Sequence, residues 1–200
     1  MNKKILGGAV CLLAGFGVVL VGCQATRSGY ESAPYQVVRK AGKIEVRDYP
    51  ALMVVETTMA PVGEGSDRSF SKLFRYITGG NAAGEKISMT TPVFMNGGNS
   101  SNGTMAFVLP AKLSADKVPQ PADASLRVHE MAGGRFAVLR FRGGRNAANE
   151  AGHRGQLENW LAAEKLPALS GPIYGYFDPP WTPPFLRRNE VMIRITPSQP

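Results

Sequence analysis

The sequence predicts an α+β fold: a distorted antiparallel β-barrel of two pseudo-repeated hairpin-helix-hairpin units with two flanking helices. Three observations predict it. Short segments of alternating apolar residues are separated by glycine-rich turns, which is typical of antiparallel strands rather than of a parallel sheet. Two other segments have helical periodicity. Each half of the chain has the order hairpin, helix, hairpin, although no clear residue identity relates the halves.

The composition is that of one globular domain, with 44% hydrophobic and 19% charged residues in a chain of 200. The net charge of +8 is dispersed and accompanies no recognisable nucleic-acid module, so we expect no nucleic-acid partner. Both cysteines, Cys11 and Cys23, lie at or before position 23. The remainder therefore has no cysteine for a disulfide, a zinc thiolate site or a thiol nucleophile.

The amino-terminal segment predicts a lipoprotein signal peptide over residues 1–22. Two lysines precede a long apolar run without charges. The tetrapeptide Leu-Val-Gly-Cys at 20–23 resembles the bacterial lipobox, in which the cysteine carries lipid. We expect a lipidated Cys23 that anchors the chain in the membrane. Residues 23–34 would then be a tether. The alternative is an uncleaved membrane helix, because the apolar run is near the lower length limit for a span.

The residue after the cysteine bears on localisation. Gln24 is not the aspartate that acts as an inner-membrane retention signal in enterobacteria. We therefore expect a lipid-anchored protein of the cell envelope, favouring the outer membrane and facing the periplasm.

The first half begins with predicted strands at 35–40 and 43–47, joined by a turn at 41–42. A third strand at 51–58 has a continuous apolar run over 52–55, which predicts burial on both faces. Two further strands, 87–94 and 104–109, flank a loop of glycine, asparagine and serine.

A helix is predicted between these strands, with Ser66 as its N-cap and Asp67 in its first turn. Its apolar stripe consists of Phe70, Leu73, Phe74 and Ile77. Two interpretations remain open: the whole stripe packs on the sheet, or part of it forms one wall of a ligand groove. Lys72 and Arg75 flank the stripe.

The second half predicts strands at 126–131 and 135–142 that pair across the Ala-Gly-Gly turn at 132–134. A helix over about 146–166 follows, with Leu157, Trp160 and Leu161 as a short apolar stripe. The last pair of strands, 173–177 and 190–195, forms a carboxy-terminal hairpin.

The loop of this last hairpin is stiffened by four prolines, since each ring fixes φ and removes a donor. It carries Trp181 and Phe185 and ends in Arg187 and Arg188. A rigid apolar rim with two cations at its base suits a flat, apolar, anionic ligand. The alternative is that these aromatic side chains fill the core.

Three motifs resemble those of the SOUL haem-binding protein family, in the family's order. They are Gly-Tyr-Phe-Asp-Pro-Pro at 175–180 with Arg-Arg-Asn-Glu-Val at 187–191, Gly-Glu-Lys-Ile-Ser-Met-Thr-Thr-Pro-Val at 84–93, and Tyr-Gln-Val-Val at 35–38 with Ile-Glu-Val-Arg-Asp-Tyr at 44–49. The resemblance implies one SOUL-like domain over residues 35–196. It also implies a distorted barrel flanked by two helices.

The resemblance further implies that the domain binds haem or a related tetrapyrrole as a small-molecule partner. The groove would lie between the first helix and the proline-rich loop, with aromatic side chains on the macrocycle and cations on its propionates. The residues expected at the site are Phe70, Lys72, Leu73, Phe74, Arg75, Trp181, Phe185 and Arg187. The alternative is an envelope interaction or scaffold protein that uses the same fold to bind a partner or another amphipathic ligand.

Catalytic and metal sites are not predicted. The sequence has no nucleophile elbow, P-loop or dinucleotide motif, and no carboxylate pair lies in an apolar setting that would separate two roles. His129 and His153 fall on different predicted elements, and neither is assigned as an axial ligand. We therefore expect a non-catalytic protein without a metal site of its own.

Overall fold

The computed structural model of the protein describes residues 29–60, 68–97, 103–113 and 115–197. The predicted signal peptide, Cys23 and the predicted capping residues Ser66 and Asp67 lie outside these ranges. The helices are α1 (Ser69–Ile77) and α2 (Ala147–Ala163). The strands are β1 (Glu31–Ser32), β2 (Gln36–Ala41), β3 (Ile44–Tyr49), β4 (Leu52–Thr58), β5 (Thr90–Thr91), β6 (Val93–Asn96), β7 (Thr104–Val108), β8 (Leu126–Met131), β9 (Gly134–Phe141), β10 (Ile173–Tyr176) and β11 (Asn189–Arg194). Neither α1 nor α2, the α-helices of the described ranges, is long and apolar enough to cross a membrane.

Nine strands form one antiparallel sheet in the order β2-β3-β9-β11-β10-β6-β7-β4-β8. The sheet curls into a half-barrel with both helices packed on it, so the predicted α+β class is confirmed. Closure is not observed: the described residues show no pairing between the edge strands β2 and β8. The repeat of two equivalent units stays a prediction.

Three predicted hairpins are confirmed, because β2 pairs with β3, β6 with β7 and β10 with β11. The predicted pairing across residues 132–134 is wrong. β8 pairs with β4, whereas β9 pairs with β3 and β11. Gly133 lies so close to the backbone of Tyr49 and Pro50 that a Cβ atom would approach it to 2.6 Å. The absence of a side chain thus serves close packing of two chain segments rather than a hairpin turn.

The sheet has a buried cluster on each face, because successive strand residues point to opposite sides. One cluster includes Leu73 and Ile77 of α1 with Leu157 of α2. The other includes Tyr49, Phe136 and Met192. The continuous run 52–55 contributes to both clusters, which confirms its predicted burial on both faces.

The folded chain begins before residue 35. β1 pairs in parallel with β5, and the backbone N–H of Ala33 donates to the carbonyl of Thr91 at 2.8 Å. The carboxylate of Glu31 accepts a hydrogen bond from the N–H of Ala111 at 2.8 Å. The expected tether therefore contains a strand in its last part, held by partners that are distant in the sequence.

Candidate ligand-binding site

The predicted stripe of α1 divides between the core and the surface. Leu73 and Ile77 are buried, whereas Phe70 and Phe74 are 43% and 46% exposed. Tyr76 takes a place in the core instead. Its hydroxyl donates to the carbonyl of Pro119 at 2.7 Å, so the buried polar group is satisfied. Leu73, predicted to contact a ligand, lies beneath the surface and supports the helix from below.

Phe70 and Phe74 form an aromatic ledge on α1. Their rings stack with centroids 5.9 Å apart and planes 13° from parallel. Phe70 also meets Phe107 of β7 edge-on, at 5.2 Å between centroids. The ledge is thus anchored to the sheet on one side and exposed on the other, a geometry suited to a flat apolar partner.

Two cations flank the ledge. Lys72 is half-buried and Arg75 is exposed, and neither side chain makes an ion pair or hydrogen bond with the described residues. The hydrogen bonds from Ser125 lower the pKa of Asp123, and the charges of Lys72 and Arg75 add a smaller lowering. Both cations are therefore available to an anionic group on a ligand at the ledge.

The proline-rich loop over residues 178–188, which we call the lip, exposes two aromatic rings. Trp181 is 77% exposed and Phe185 57% exposed. Arg187 fastens the lip from within: its Nε donates to the carbonyl of Thr182 at 2.7 Å, and its Nη2 donates to the carbonyl of Pro180. The guanidinium of Arg187, predicted to meet propionates, is thus largely occupied by the backbone of the lip.

The base of the lip is fixed by Glu190, which is buried. Arg47 donates to its two carboxylate oxygens, at 2.7 Å from Nη1 and 3.1 Å from Nη2. Arg188 donates to the same carboxylate at 3.0 Å from Nε and 2.7 Å from Nη2. Burial disfavours the charged form of Arg47. The hydrogen bonds to Glu190 and its negative charge outweigh this effect, so the pKa of Arg47 is raised.

The two arginines at the end of the predicted loop have different partners. Arg188 binds Glu190, whereas Arg187 binds the lip instead. The role of Arg47 was not predicted. Arg47 fits the ordinary alternation of side chains along β3. No local sequence pattern identifies it as the partner of Glu190, which lies 143 residues further along the chain.

Strand register brings the ledge and the lip to the same end of the sheet. Phe107 of β7 pairs with Val93 of β6, and Val93 pairs with Tyr176 of β10. Paired residues point to the same face, and neighbouring strands lie about 4.8 Å apart, so the backbones of Phe107 and Tyr176 are separated by roughly 10 Å. Phe70 packs on Phe107, and the lip follows shortly after Tyr176.

The four exposed rings are not interlocked. Among the described residues, no ring contact joins Phe70 or Phe74 to Trp181 or Phe185. The surface between them is therefore not closed by the protein's own aromatic side chains.

The two histidines have structural contacts. His129 places Nε2 at 3.5 Å from a carboxylate oxygen of Glu56. His153 bonds through Nδ1 to the carbonyl of Asn149 at 2.8 Å and stacks on Phe141 with centroids 4.3 Å apart. No group of three or more metal-ligating side chains occurs in the described parts of the chain.

The chain is thus an α+β domain: a curled antiparallel half-barrel with two helices and with exposed aromatic side chains on the ledge and the lip. The family model of the SOUL heme-binding protein matches residues 30–194. The chain therefore belongs to the SOUL heme-binding protein family.

Two curated relatives support the assignment. Heme-binding protein 1 of Bos taurus is 30% identical over 175 residues, a match that covers 82% of this chain and 91% of that protein. Heme-binding protein 1 of Mus musculus is 30% identical over 179 residues, a match that covers 82% of this chain and 92% of that protein.

Solved structures share the fold at much lower identity. The EcmrR C-terminal domain has a TM-score of 0.56 at 11% identity, covering 81% of this chain and 98% of that one. A hydrolase from Listeria innocua has a TM-score of 0.56 at 9% identity, covering 80% and 94%. At these identities the likeness concerns the fold alone.

Proposed function

We propose that this protein binds haem or a related tetrapyrrole, without catalysis, in a groove between α1 and the lip. One observation carries the proposal. Four large aromatic side chains are between 43% and 77% exposed on two elements that register brings to one end of the sheet. Exposed apolar surface beyond that of single scattered residues marks sites of interaction with a ligand, a partner or a membrane. Membership of a heme-binding family supports haem or a related tetrapyrrole as the ligand.

The contacts follow from the side chains on each wall. Phe70 and Phe74 would contact one part of the macrocycle, and Trp181 and Phe185 another. The propionates would meet Lys72 or Arg75, whose side chains make no ion pair or hydrogen bond with the described residues. Arg187 would act through the shape of the lip, because its guanidinium already binds the carbonyls of that loop.

The expected affinity is moderate. Burial of roughly 400 Å² of apolar surface at about 25 cal/mol per Å² contributes on the order of 10 kcal/mol. Association costs several kcal/mol of this amount, which leaves micromolar binding without an iron ligand. Metal-free porphyrin should then bind with similar affinity.

Titration of a soluble chain lacking residues 1–23 with hemin and with protoporphyrin IX tests the proposal. We expect saturable changes in porphyrin absorbance at micromolar concentration for both. Trp181→Ala should lower the affinity for both ligands by roughly tenfold, since it removes one large contact surface. Leu169→Ala is the matched control, because Leu169 is also apolar and exposed but follows α2, next to the opposite end of β11.

Two results would contradict the proposal. An absence of saturable binding would favour an envelope interaction protein that uses the same exposed rings to contact a partner. Equal affinity in Trp181→Ala and the unaltered chain would remove the site while leaving the fold assignment in place.

The proposed location is the cell envelope, with lipid on Cys23 after removal of residues 1–22. The supporting pattern is the charged start, the apolar run and the Leu-Val-Gly-Cys tetrapeptide. Mass spectrometry of the mature amino terminus is the test, with acylated Cys23 as the expected first residue. An unmodified Cys23 would contradict the anchor without affecting the ligand site.

A further inference from the structure

A cleft of about 740 Å³ opens on the other side of the lip, away from the ledge. It arises from a mismatch in strand length. The last residue pair between β3 and β9 joins Ile44 to Leu139. Beyond this pair Arg140 N–H donates to the carbonyl of Lys43, and β9 ends at Phe141, past the end of β3. The turn at Gly42, which has a φ of +62°, ends the β2–β3 hairpin at this level. α2 then covers the protruding end of β9 and completes the cleft.

The cleft is rich in cations. Five basic residues line it: Lys43, Arg47, Arg140, Arg142 and Arg188. Among the described residues, Glu45 is the only acidic residue in the lining. A volume of this size is in the range of small-molecule sites. Like charges around a concave surface focus the potential and attract an anion.

The acidic groups near the cleft are already committed to two of these cations. Glu45 accepts from Nε of Arg47 at 2.8 Å and lies 3.5 Å from the ammonium of Lys40. Glu190, buried beneath, accepts from both Arg47 and Arg188. These two guanidiniums are held in place, and their charge is balanced within the protein.

Lys43 and Arg142, in contrast, are not paired with acidic groups of the described residues. Neither side chain makes an ion pair or a hydrogen bond with any described residue. Arg142 follows the end of β9, and Lys43 lies in the hairpin turn, where its carbonyl accepts a hydrogen bond from Arg140 N–H at 3.3 Å. Two cations that lack partners thus come from two neighbouring segments at the mouth of one cleft.

The wall on the α2 side offers a flat surface and polar groups. His153 stacks on Phe141 with planes 15° from parallel. The carbonyl of Asn149 only accepts, so Nδ1 of His153 must donate to it at 2.8 Å, which leaves Nε2 for the cleft. Gln156 lines the same wall. An organic anion would find both a stacking surface and hydrogen-bonding partners here.

We infer that this cleft is a second ligand site, for a small organic or inorganic polyanion whose carboxylate or phosphate groups pair with Lys43 and Arg142. The site is distinct from the tetrapyrrole groove. In the sheet, β11 and β10, which the lip connects, lie between β9 at the cleft and β7 beneath the ledge. The backbone N–H of Gly143 donates to the carbonyl of Pro184 at 3.0 Å and joins the lip to the end of β9. The inference does not depend on tetrapyrrole binding.

Calorimetric titration of the full-length chain in a non-ionic detergent, at 150 mM salt, tests it. Pyrophosphate and citrate are the two probes, because they separate phosphate from carboxylate recognition. We expect saturable binding of at least one. Lys43→Gln and Arg142→Gln should each weaken that probe by roughly tenfold, the effect of losing one charged hydrogen bond. Lys117→Gln, an exposed basic position outside the cleft, is the control and should have no effect.

Three outcomes would overturn the inference. They are no saturable binding of either probe at millimolar concentration, equal affinity in the cleft variants and the control, or an equal loss in the control. Thermal unfolding of each variant establishes that it is folded. Hemin titration of Lys43→Gln and probe titration of Trp181→Ala keep the two sites apart: each substitution should affect its own ligand alone.

Discussion

Arg47 of β3 and Glu190 of β11 form a buried, bidentate ion pair, with oxygen–nitrogen distances of 2.7 and 3.1 Å. The two strands are not neighbours, because β9 lies between them in the sheet. The pair therefore crosses over β9 and joins the first part of the chain to the base of the lip. Arg188 binds the same carboxylate, so two guanidiniums share Glu190, and Arg47 has Glu45 as a second acidic partner.

Glu190→Gln should destabilise the protein by about 3–5 kcal/mol, because it removes the buried carboxylate shared by Arg47 and Arg188 and leaves Arg47 with Glu45 alone. Asp48→Asn is the control, since Asp48 and Arg135 form an ion pair of 2.7 Å that is partly exposed, and such pairs contribute about 1 kcal/mol or less. Urea unfolding measures both. A Glu190→Gln variant as stable as Asp48→Asn would show that the buried network contributes little.

Leu73→Ala and Phe74→Ala should separate stability from ligand binding on one helix. Leu73 is fully buried, so its truncation should cost about 2–5 kcal/mol through lost contacts and a cavity. Phe74 is exposed and should cost roughly 1 kcal/mol or less while weakening hemin binding. Thermal unfolding and hemin titration are the two measurements. The reverse order of stabilities would mean that Phe74 is a core residue.

Combined Lys72→Gln and Arg75→Gln substitutions should lower hemin affinity by roughly tenfold or more, through lost charge-assisted hydrogen bonds to propionates. Hemin dimethyl ester lacks those negative charges, so its affinity should be unchanged by the same substitutions. Absorbance titrations with both ligands give the comparison. An equal loss for both ligands would exclude recognition of propionates by these two cations.

Acid should remove one identifiable contribution to stability. The hydrogen bond from Arg135 lowers the pKa of Asp48 below its unfolded value of about 4. Burial opposes this shift in part, and the charge of Arg135 adds a smaller lowering. A lowered folded-state pKa stabilises the protein above the unfolded pKa, and that stabilisation is lost as pH falls through the folded value. The Tm difference between the unaltered chain and Asp48→Asn should therefore shrink below about pH 4. A constant difference from pH 7 to pH 2 would contradict this assignment.

The sequence was sufficient for elements whose partners are close along the chain. The β2–β3 and β10–β11 hairpins follow from alternation and turn residues, and both are observed. α2 begins after Asn146, whose side chain accepts from Asn149 N–H, as the predicted start near 146 implies.

Elements that depend on distant partners were not predictable from local pattern. The Ala-Gly-Gly segment at 132–134 has the composition of a turn, yet the carbonyl of Gly133 accepts a hydrogen bond from Arg194 at 2.6 Å. Tyr76 replaces Phe70 and Phe74 in the core because Pro119 supplies an acceptor for its hydroxyl. Helical periodicity gives the existence of α1, whereas the buried face is decided by what lies opposite it.

The candidate site was predictable in its types of residue more than in their roles. The exposure of Trp181 and Phe185 agrees with a rim rather than a core. The role of Arg187 required the backbone geometry of the lip, since its acceptors are carbonyl oxygens, which every residue has. The cationic cleft arises from strands of unequal length, and local sequence patterns do not show where β3 ends beside β9.

The pairing of β1 with β5 sets how far the domain can stand from a bilayer. If Cys23 carries lipid, the free part of the tether spans only eight residues, from Cys23 to Glu31, because Glu31 is paired with Thr90 of the domain. A fully extended chain covers at most about 3.5 Å per residue, so this part of the tether reaches about 28 Å. The domain would then stay close to the lipid surface. A tetrapyrrole dissolved in the bilayer could pass between membrane and protein without diffusing through open solvent.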